Sequence, residues 1–124
     1  PHRLELAKIL KVSESELHQD PSRYAMIAAK RWNCVVLLKG FHTVIALNNQ
    51  WLIIPSGNRA LAKAGSGDVL TGIIAGLLAQ GLTTLRAASL GSYLHGEIAD
   101  KWLRQGKSIH SLMPSDLLDC LNSN

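Results

Sequence analysis

Gly65-Ser66-Gly67-Asp68-Val69-Leu70-Thr71-Gly72 is the stretch on which the reading of this chain turns. Two glycines, one residue apart, free the backbone for a tight turn. An apolar run follows that reads as a helix from Asp68 to Gln80. The start of such a helix carries backbone N–H groups with no intrahelical partner, and these suit an anion. One carboxylate, Asp68, stands at the junction. A phosphoryl group held by the amides and a hydroxyl deprotonated by the acid is the chemistry this pattern permits. The plainer alternative is that Asp68 only caps the helix. The stretch is not a P-loop, because no Gly-Lys-Ser/Thr follows. Nor is it a dinucleotide fingerprint, because Leu70 stands where a third glycine belongs.

Outward from this turn, the periodicity describes an α/β protein. The helix from Asp68 is apolar nearly all round and is expected to be buried, with Gly81 ending it and Gly72 and Gly76 serving close helix packing. Thr83 caps a following helix to about Leu103, and Pro114 or Ser115 opens a last one through Leu121. On the N-terminal side, Arg3–Leu10 can form a short helix. Ser13-Glu14-Ser15-Glu16 fits a capping box, and Asp20-Pro21 opens a helix to about Trp32 that Asn33 ends. Cys34-Val35-Val36-Leu37-Leu38 is a continuous β-prone run, the mark of a strand covered on both faces in a parallel sheet. Thr43–Leu47 and Trp51–Ile54 flank Asn48-Asn49-Gln50 as a hairpin. Residues 55–64 read as loop. One central strand and one hairpin make too small a sheet for a complete α/β domain. Residues 1–124 are therefore read as the C-terminal part of a larger single domain.

Composition narrows the partners. The 124 residues are 47% hydrophobic with a formal net charge of +4, and the basic residues are scattered without aromatic interleaving. A solvated surface, and not a nucleic-acid interface, is the expectation. The apolar runs are too short to span a bilayer, and no leader-like segment opens the chain, so no membrane partner is expected. Cys34 and Cys120 form no CxxC pair, which argues against zinc and disulfides and for a cytoplasmic setting. Cys34 is expected as a buried thiol within the strand.

Two further groups of residues carry potential chemistry. Lys39-Gly40-Phe41-His42-Thr43 follows a strand end, where ligands bind in open α/β sheets; the alternative is an ordinary tight turn. His2 and Glu5 lie near the start, where a histidine is commonly only solvated. His95 and Asp100 share a predicted helix without i, i+4 spacing and are read as structural. Ser66 has no histidine near it in sequence, which weighs against a serine nucleophile. No histidine pair shows metal-ligand spacing.

The block from Asn58 and Leu61 through Gly81, centred on Ala64-Gly65-Ser66-Gly67-Asp68, resembles the signature of the ADP/ATP-dependent NAD(P)H-hydrate dehydratases, a family within the ribokinase-like superfold. Pro1-His2-Arg3-Leu4-Glu5 is similar to that family's Pro-His-x-x-Glu segment. Val36–Ile45 is similar to its Leu-Lys-Gly-x-x-Thr-x-Ile segment, and Tyr93-Leu94-His95-Gly96 and Ser115-Asp116-Leu117 to its last two helices. The resemblance implies a three-layer α/β/α sandwich, of which this chain holds the C-terminal half. It implies dehydration of NAD(P)H hydrate through phosphorylation of the hydroxyl by ADP or ATP, with Mg2+, followed by phosphate elimination. In that reading Asp68 is the base and contacts the hydrate, and the amides of Gly65, Ser66 and Gly67 form the anion hole. Lys39, Gly40, Phe41, His42 and Thr43 line the nucleotide, which Gly67 also touches, and His2 contacts the hydrate. A homo-oligomer, often a tetramer, is implied as well. Two alternatives stay open: a small-molecule kinase of the same superfold, and a non-catalytic nucleotide-binding or assembly module.

Overall fold

The computed structural model describes residues 1–122, which divide into two compact units, residues 1–54 and residues 55–122. In the first unit, helices α1 (Arg3–Leu10), α2 (Glu14–Gln19) and α3 (Pro21–Trp32) precede strands β1 (Val36–Leu38), β2 (Thr43–Leu47) and β3 (Gln50–Ile54). Local hydrogen bonds set the helix boundaries. His2 caps α1 in a reciprocal box with Glu5, Ser13 does the same for α2 with Glu16, and Asp20 caps α3 ahead of Pro21. Asn33 stops α3 in the left-handed region, at φ 49°. A serine or aspartate cap such as Ser13 or Asp20 contributes about 1 kcal/mol. Burying a leucine contributes about 1.5–3 kcal/mol, so the core outweighs the caps in holding the unit together.

That core lies between the helices and one sheet face. Leu6, Leu17, Ala25, Ala28 and Ala29 meet Val36, Leu38, Val44 and Ala46. The strand residues contributing to it alternate, as a pleated strand requires. Small residues at positions 25, 28 and 29 let α3 lie close on the sheet. The sheet itself departs from the sequence expectation. β1 pairs antiparallel with β2, and β2 antiparallel with β3, in the order β1-β2-β3. Among the described residues, the one parallel contact is an isolated bridge from His2 to Lys39. A continuous apolar run reports burial on both faces but not the direction of the neighbouring strand, and the short Lys39–His42 connection forces an antiparallel return. Gln50 belongs to β3 and not to the turn, because it pairs with Leu47. Cys34 lies before β1 and is exposed, not buried within it.

In the second unit a 3-10 turn (Arg59–Leu61) falls inside the segment read as loop, followed by α4 (Ser66–Ala79), α5 (Thr84–Arg104) and α6 (Pro114–Asn122). Ala60, Ile98, Ala99, Leu112 and Leu117 form its core. Gly81, at φ 90°, ends α4, and the Thr83 side chain starts α5. α4 is not buried all round: Thr71, Gly72, Ala75, Gly76, Leu78 and Ala79 are exposed. A Cβ at Gly72 or Gly76 would meet nothing within 4 Å, so these glycines do not serve close packing among the described residues. The close approaches are on α5. A Cβ at Gly96 would come within 2.6 Å of the Ser56 backbone, and one at Gly91 within 2.7 Å of Ile74.

The Glu16 carboxylate accepts from Ser13 Oγ at 2.7 Å and from Ser13 N at 2.9 Å, and these bonds, the hydroxyl's first, hold its pKa below the ordinary value. The capping box therefore supports α2 above the ordinary carboxylate range and loses that support as pH falls through the lowered midpoint. Ser13→Ala should raise the Glu16 midpoint in a carboxyl-carbon NMR titration; an unmoved midpoint would contradict the role given to Ser13. In equilibrium denaturation, Gly96→Ala should destabilise the chain by about 1–3 kcal/mol through overpacking against backbone. Gly76→Ala should stabilise it by about 0.5–1 kcal/mol, because alanine is the better helix former in open space.

Candidate functional site

The second unit builds its site from the turn that starts α4. Gly65 occupies the N-cap at φ 87°, and no side chain caps the helix. A bare N-cap leaves the first amides without the usual side-chain acceptor. Ser66 N donates to Lys63 O at 3.2 Å, and Val69 N donates to Gly65 O at 3.1 Å. Among the described residues, no protein group accepts from the N–H of Gly65, Gly67 or Asp68. The Ser66 amide is thus committed to the turn and is not available to an anion, in contrast to the expectation for it. The donors left for an anion at the helix start are Gly67 and Asp68, with Gly65 just before them.

Asp68 is the third helical residue, not the cap. Its side chain is exposed and makes no hydrogen bond with the described protein groups. The simple capping explanation of this residue is therefore removed. A carboxylate in the first turn also sits favourably in the field of the helix start. Thr71 Oγ1 donates back to Gly67 O at 2.9 Å and closes the first turn.

Helix α5 holds the segment leading to this turn. Asp100 accepts from Gly57 N at 2.8 Å through one carboxylate oxygen and from Asn58 Nδ2 at 2.7 Å through the other. Asn58 Oδ1 in turn accepts from Ala60 N at 2.9 Å and starts the 3-10 turn. Ser56 Oγ donates to Tyr93 O at 2.9 Å. His95 and Ser66, 6% and 3% exposed, meet with Nε2 3.1 Å from Ser66 Oγ and 3.0 Å from Ser66 O. Ser66 thus has a histidine partner that sequence proximity did not disclose. The residues of α5 that meet positions 56–58, Tyr93, Gly96 and Asp100, share one helix face at i, i+3 and i+7, a spacing visible in the sequence.

The other candidate residues lie in the first unit. His2 and Lys39 are brought together: they form the parallel bridge, and Lys39 N donates to Pro1 O at 2.8 Å. His2 is engaged and not merely solvated. Its Nδ1 accepts from Glu5 N at 3.2 Å, and its N–H donates to Glu5 Oε2 at 2.7 Å. The bond from His2, first among the causes, holds the Glu5 carboxyl below its ordinary range. The Pro-His-x-x-Glu segment is thus at least a helix start. Gly40, Phe41 and His42 form an exposed connection from Lys39 to Thr43, the first residue of β2. Phe41 is 67% exposed, and its ring meets that of His42 edge-on with centroids 4.5 Å apart. Among the described residues, no group of three or more His, Cys, Asp or Glu could hold a metal by itself. No helix is long and apolar enough to cross a membrane.

These elements match known proteins along their whole length. An Enterococcus faecalis ribokinase-like superfamily protein superposes with a TM-score of 0.84 at 26% identity, covering 99% of this chain and 41% of that one. The class is therefore the ribokinase-like α/β proteins. The profile described as NAD(P)H-hydrate dehydratase matches residues 1–122, and the chain belongs to that family. The ADP/ATP-dependent NAD(P)H-hydrate dehydratase of Bacillus subtilis, co-crystallised with ATP/Mg2+, superposes with a TM-score of 0.92 at 37% identity, covering 99% of this chain and 44% of that one. The bifunctional NAD(P)H-hydrate repair enzyme Nnr of Moorella thermoacetica is 48% identical over 122 residues, which is 98% of this chain and 23% of that protein. The chain thus spans less than half the length of these relatives.

The left-handed backbone at Gly65 is the local requirement of the turn. A side chain there would also meet Pro114 Cγ at 3.2 Å. Gly65→Ala should cost about 1–2 kcal/mol in denaturant unfolding from the backbone alone; a neutral substitution would show that the turn relaxes freely.

Proposed function

We propose that this chain is the C-terminal, phosphoryl-transferring portion of an ADP/ATP-dependent NAD(P)H-hydrate dehydratase. One observation carries the reading: an exposed carboxylate, Asp68, stands in the first turn of α4 beside amides that no protein group occupies. Phosphoryl transfer needs little from a protein beyond positioning and donors aimed at developing negative charge. The Gly67 and Asp68 amides supply such donors, and the Asp68 carboxylate supplies a base.

The hydroxyl oxygen of the hydrate attacks the terminal phosphorus of ATP or ADP while Asp68 takes its proton. The bond to the bridging oxygen breaks, and ADP or AMP leaves. The carbon–oxygen bond of the phosphorylated hydrate then breaks. Phosphate departs, and loss of a proton from the neighbouring carbon restores the ring double bond. His2 is assigned to the hydrate, and residues Lys39, Gly40, Phe41, His42 and Thr43 to the adenine nucleotide. The exposed Phe41 ring offers a face on which a base can stack. Mg2+ neutralises phosphate charge when bound. It is commonly held by phosphates, waters and one or two carboxylates, so Asp68, the carboxylate of the turn, fits a site of that kind. A cytoplasmic setting and assembly of several copies complete the proposal.

Because the chain spans less than half of its dehydratase relatives, a non-catalytic nucleotide-binding module is the second reading. Hydrated NADH supplied with ADP or ATP and Mg2+ separates the two. Return of the near-ultraviolet absorbance supports the dehydratase. Nucleotide binding without that return supports the module, and a stable phosphorylated alcohol indicates a kinase. Asp68→Asn should keep nucleotide affinity and lower turnover by about 10²–10⁴-fold, the usual contribution of a positioned base; near-normal turnover would remove Asp68 from that role.

A further inference from the structure

We propose that His95 is a positioning residue that sets the Gly67 N–H toward the transferring phosphoryl group by gripping the other end of the same peptide unit. The inference rests on the function proposed above and assigns a buried residue to it. His95 Nε2 lies 3.0 Å from Ser66 O and 3.1 Å from Ser66 Oγ. Ser66 O and the Gly67 N–H belong to one planar trans peptide, in which the C=O and N–H point in opposite directions. Fixing the oxygen inward therefore fixes the hydrogen outward.

The carbonyl oxygen can only accept, so the 3.0 Å contact requires the proton on Nε2. The ring N–H then serves Ser66 O and Ser66 Oγ together. Both residues are almost fully buried, so the ring and the peptide are held by packing as well as by the bond. A donor on the carbonyl also polarises the amide and strengthens the N–H at its far end. Gly67 needs such support more than an ordinary residue. It has no Cβ to restrict its φ and ψ, the residue before it begins the helix, and the residue before that is a left-handed glycine. The partner is 29 residues away in sequence, so α5 adds a distant anchor to an amide direction that the first turn of α4 sets locally.

Three measurements on the full chain test this. First, correlation spectra of the histidine ring nitrogens should show the proton of His95 on Nε2; a neutral ring protonated on Nδ1 alone would overturn the proposal, because Nε2 could then only accept from Ser66 Oγ. Second, the Gly67 amide resonance should shift on titration with ADP in the wild type and in His95→Gln, whose side-chain N–H can replace Nε2. It should lose that response in His95→Leu. Third, if the wild-type protein turns over, His95→Leu should lower kcat about 10–100-fold with nucleotide KM changed less than about threefold, and His95→Gln should recover most of the loss. A Gln variant no better than Leu at equal thermal stability, or a Leu variant with the wild-type amide response, would refute the positioning role. A wild-type protein without turnover would count against the proposed dehydratase alone, since the ring and amide measurements still decide the role of His95.

Discussion

The two-pronged grip of the Asp100 carboxylate on Gly57 N and Asn58 Nδ2 is the constraint on which the second unit depends. A loop rich in glycine and alanine has little side-chain packing of its own and a large entropy to lose. Hydrogen bonds to a charged acceptor are worth about 1.5–3 kcal/mol each, roughly twice a neutral one, so this grip adds to the burial of Ala60 in ordering the segment. The closeness of Gly96 to Ser56 works with it. The missing Cβ lets the loop lie against the α5 backbone, and that proximity puts Asp100, one turn further on, within reach. The loop then delivers the chain to Gly65 at a fixed place relative to α5.

The two units reach order by different means. The first relies on short-range devices: side-chain caps at three helix starts, tight strand connections and small residues on α3 that admit the sheet. The second relies on contacts from α5 to residues 29 to 43 positions earlier. This contrast explains what could be read from sequence. Ser13 with Glu16 and Asp20 with Pro21 announce their helices because donor and acceptor stand three residues apart or fewer. The bounds of α1 and α3, the cap at Thr83 and the stop at Gly81 were legible for the same reason. β1 was legible as a strand and not as an antiparallel one, since apolarity carries no direction. α4 was legible as a helix and not as one with an open face, since composition does not name a covering partner. Cys34 was placed inside the strand because the apolar run includes it, but the run begins before the ladder does.

The candidate site divides along the same line. The turn at residues 65–68 was legible because its glycines and its acid are contiguous. The parts that hold the turn were not: His95 and Asp100 read as ordinary helix residues, and their meaning lies in Ser66, Gly57 and Asn58. The helix-capping part that His2 plays was not legible either. Histidine is an uncommon helix cap, so its bond from Glu5 N and its bridge to Lys39 had no local signature.

The long sequence separation of the α5 contacts also bears on how the chain comes to its native state. Closing a loop of thirty to forty residues carries an entropic cost that contacts within a hairpin do not face. The glycine turn leaves the ribosome well before the helix that anchors it. Until α5 docks, the segment has no acceptor for Gly57 N and no imidazole beside Ser66. The glycine turn therefore depends on a part of the chain made after it, while the caps and strand pairings of the first unit join neighbours in sequence.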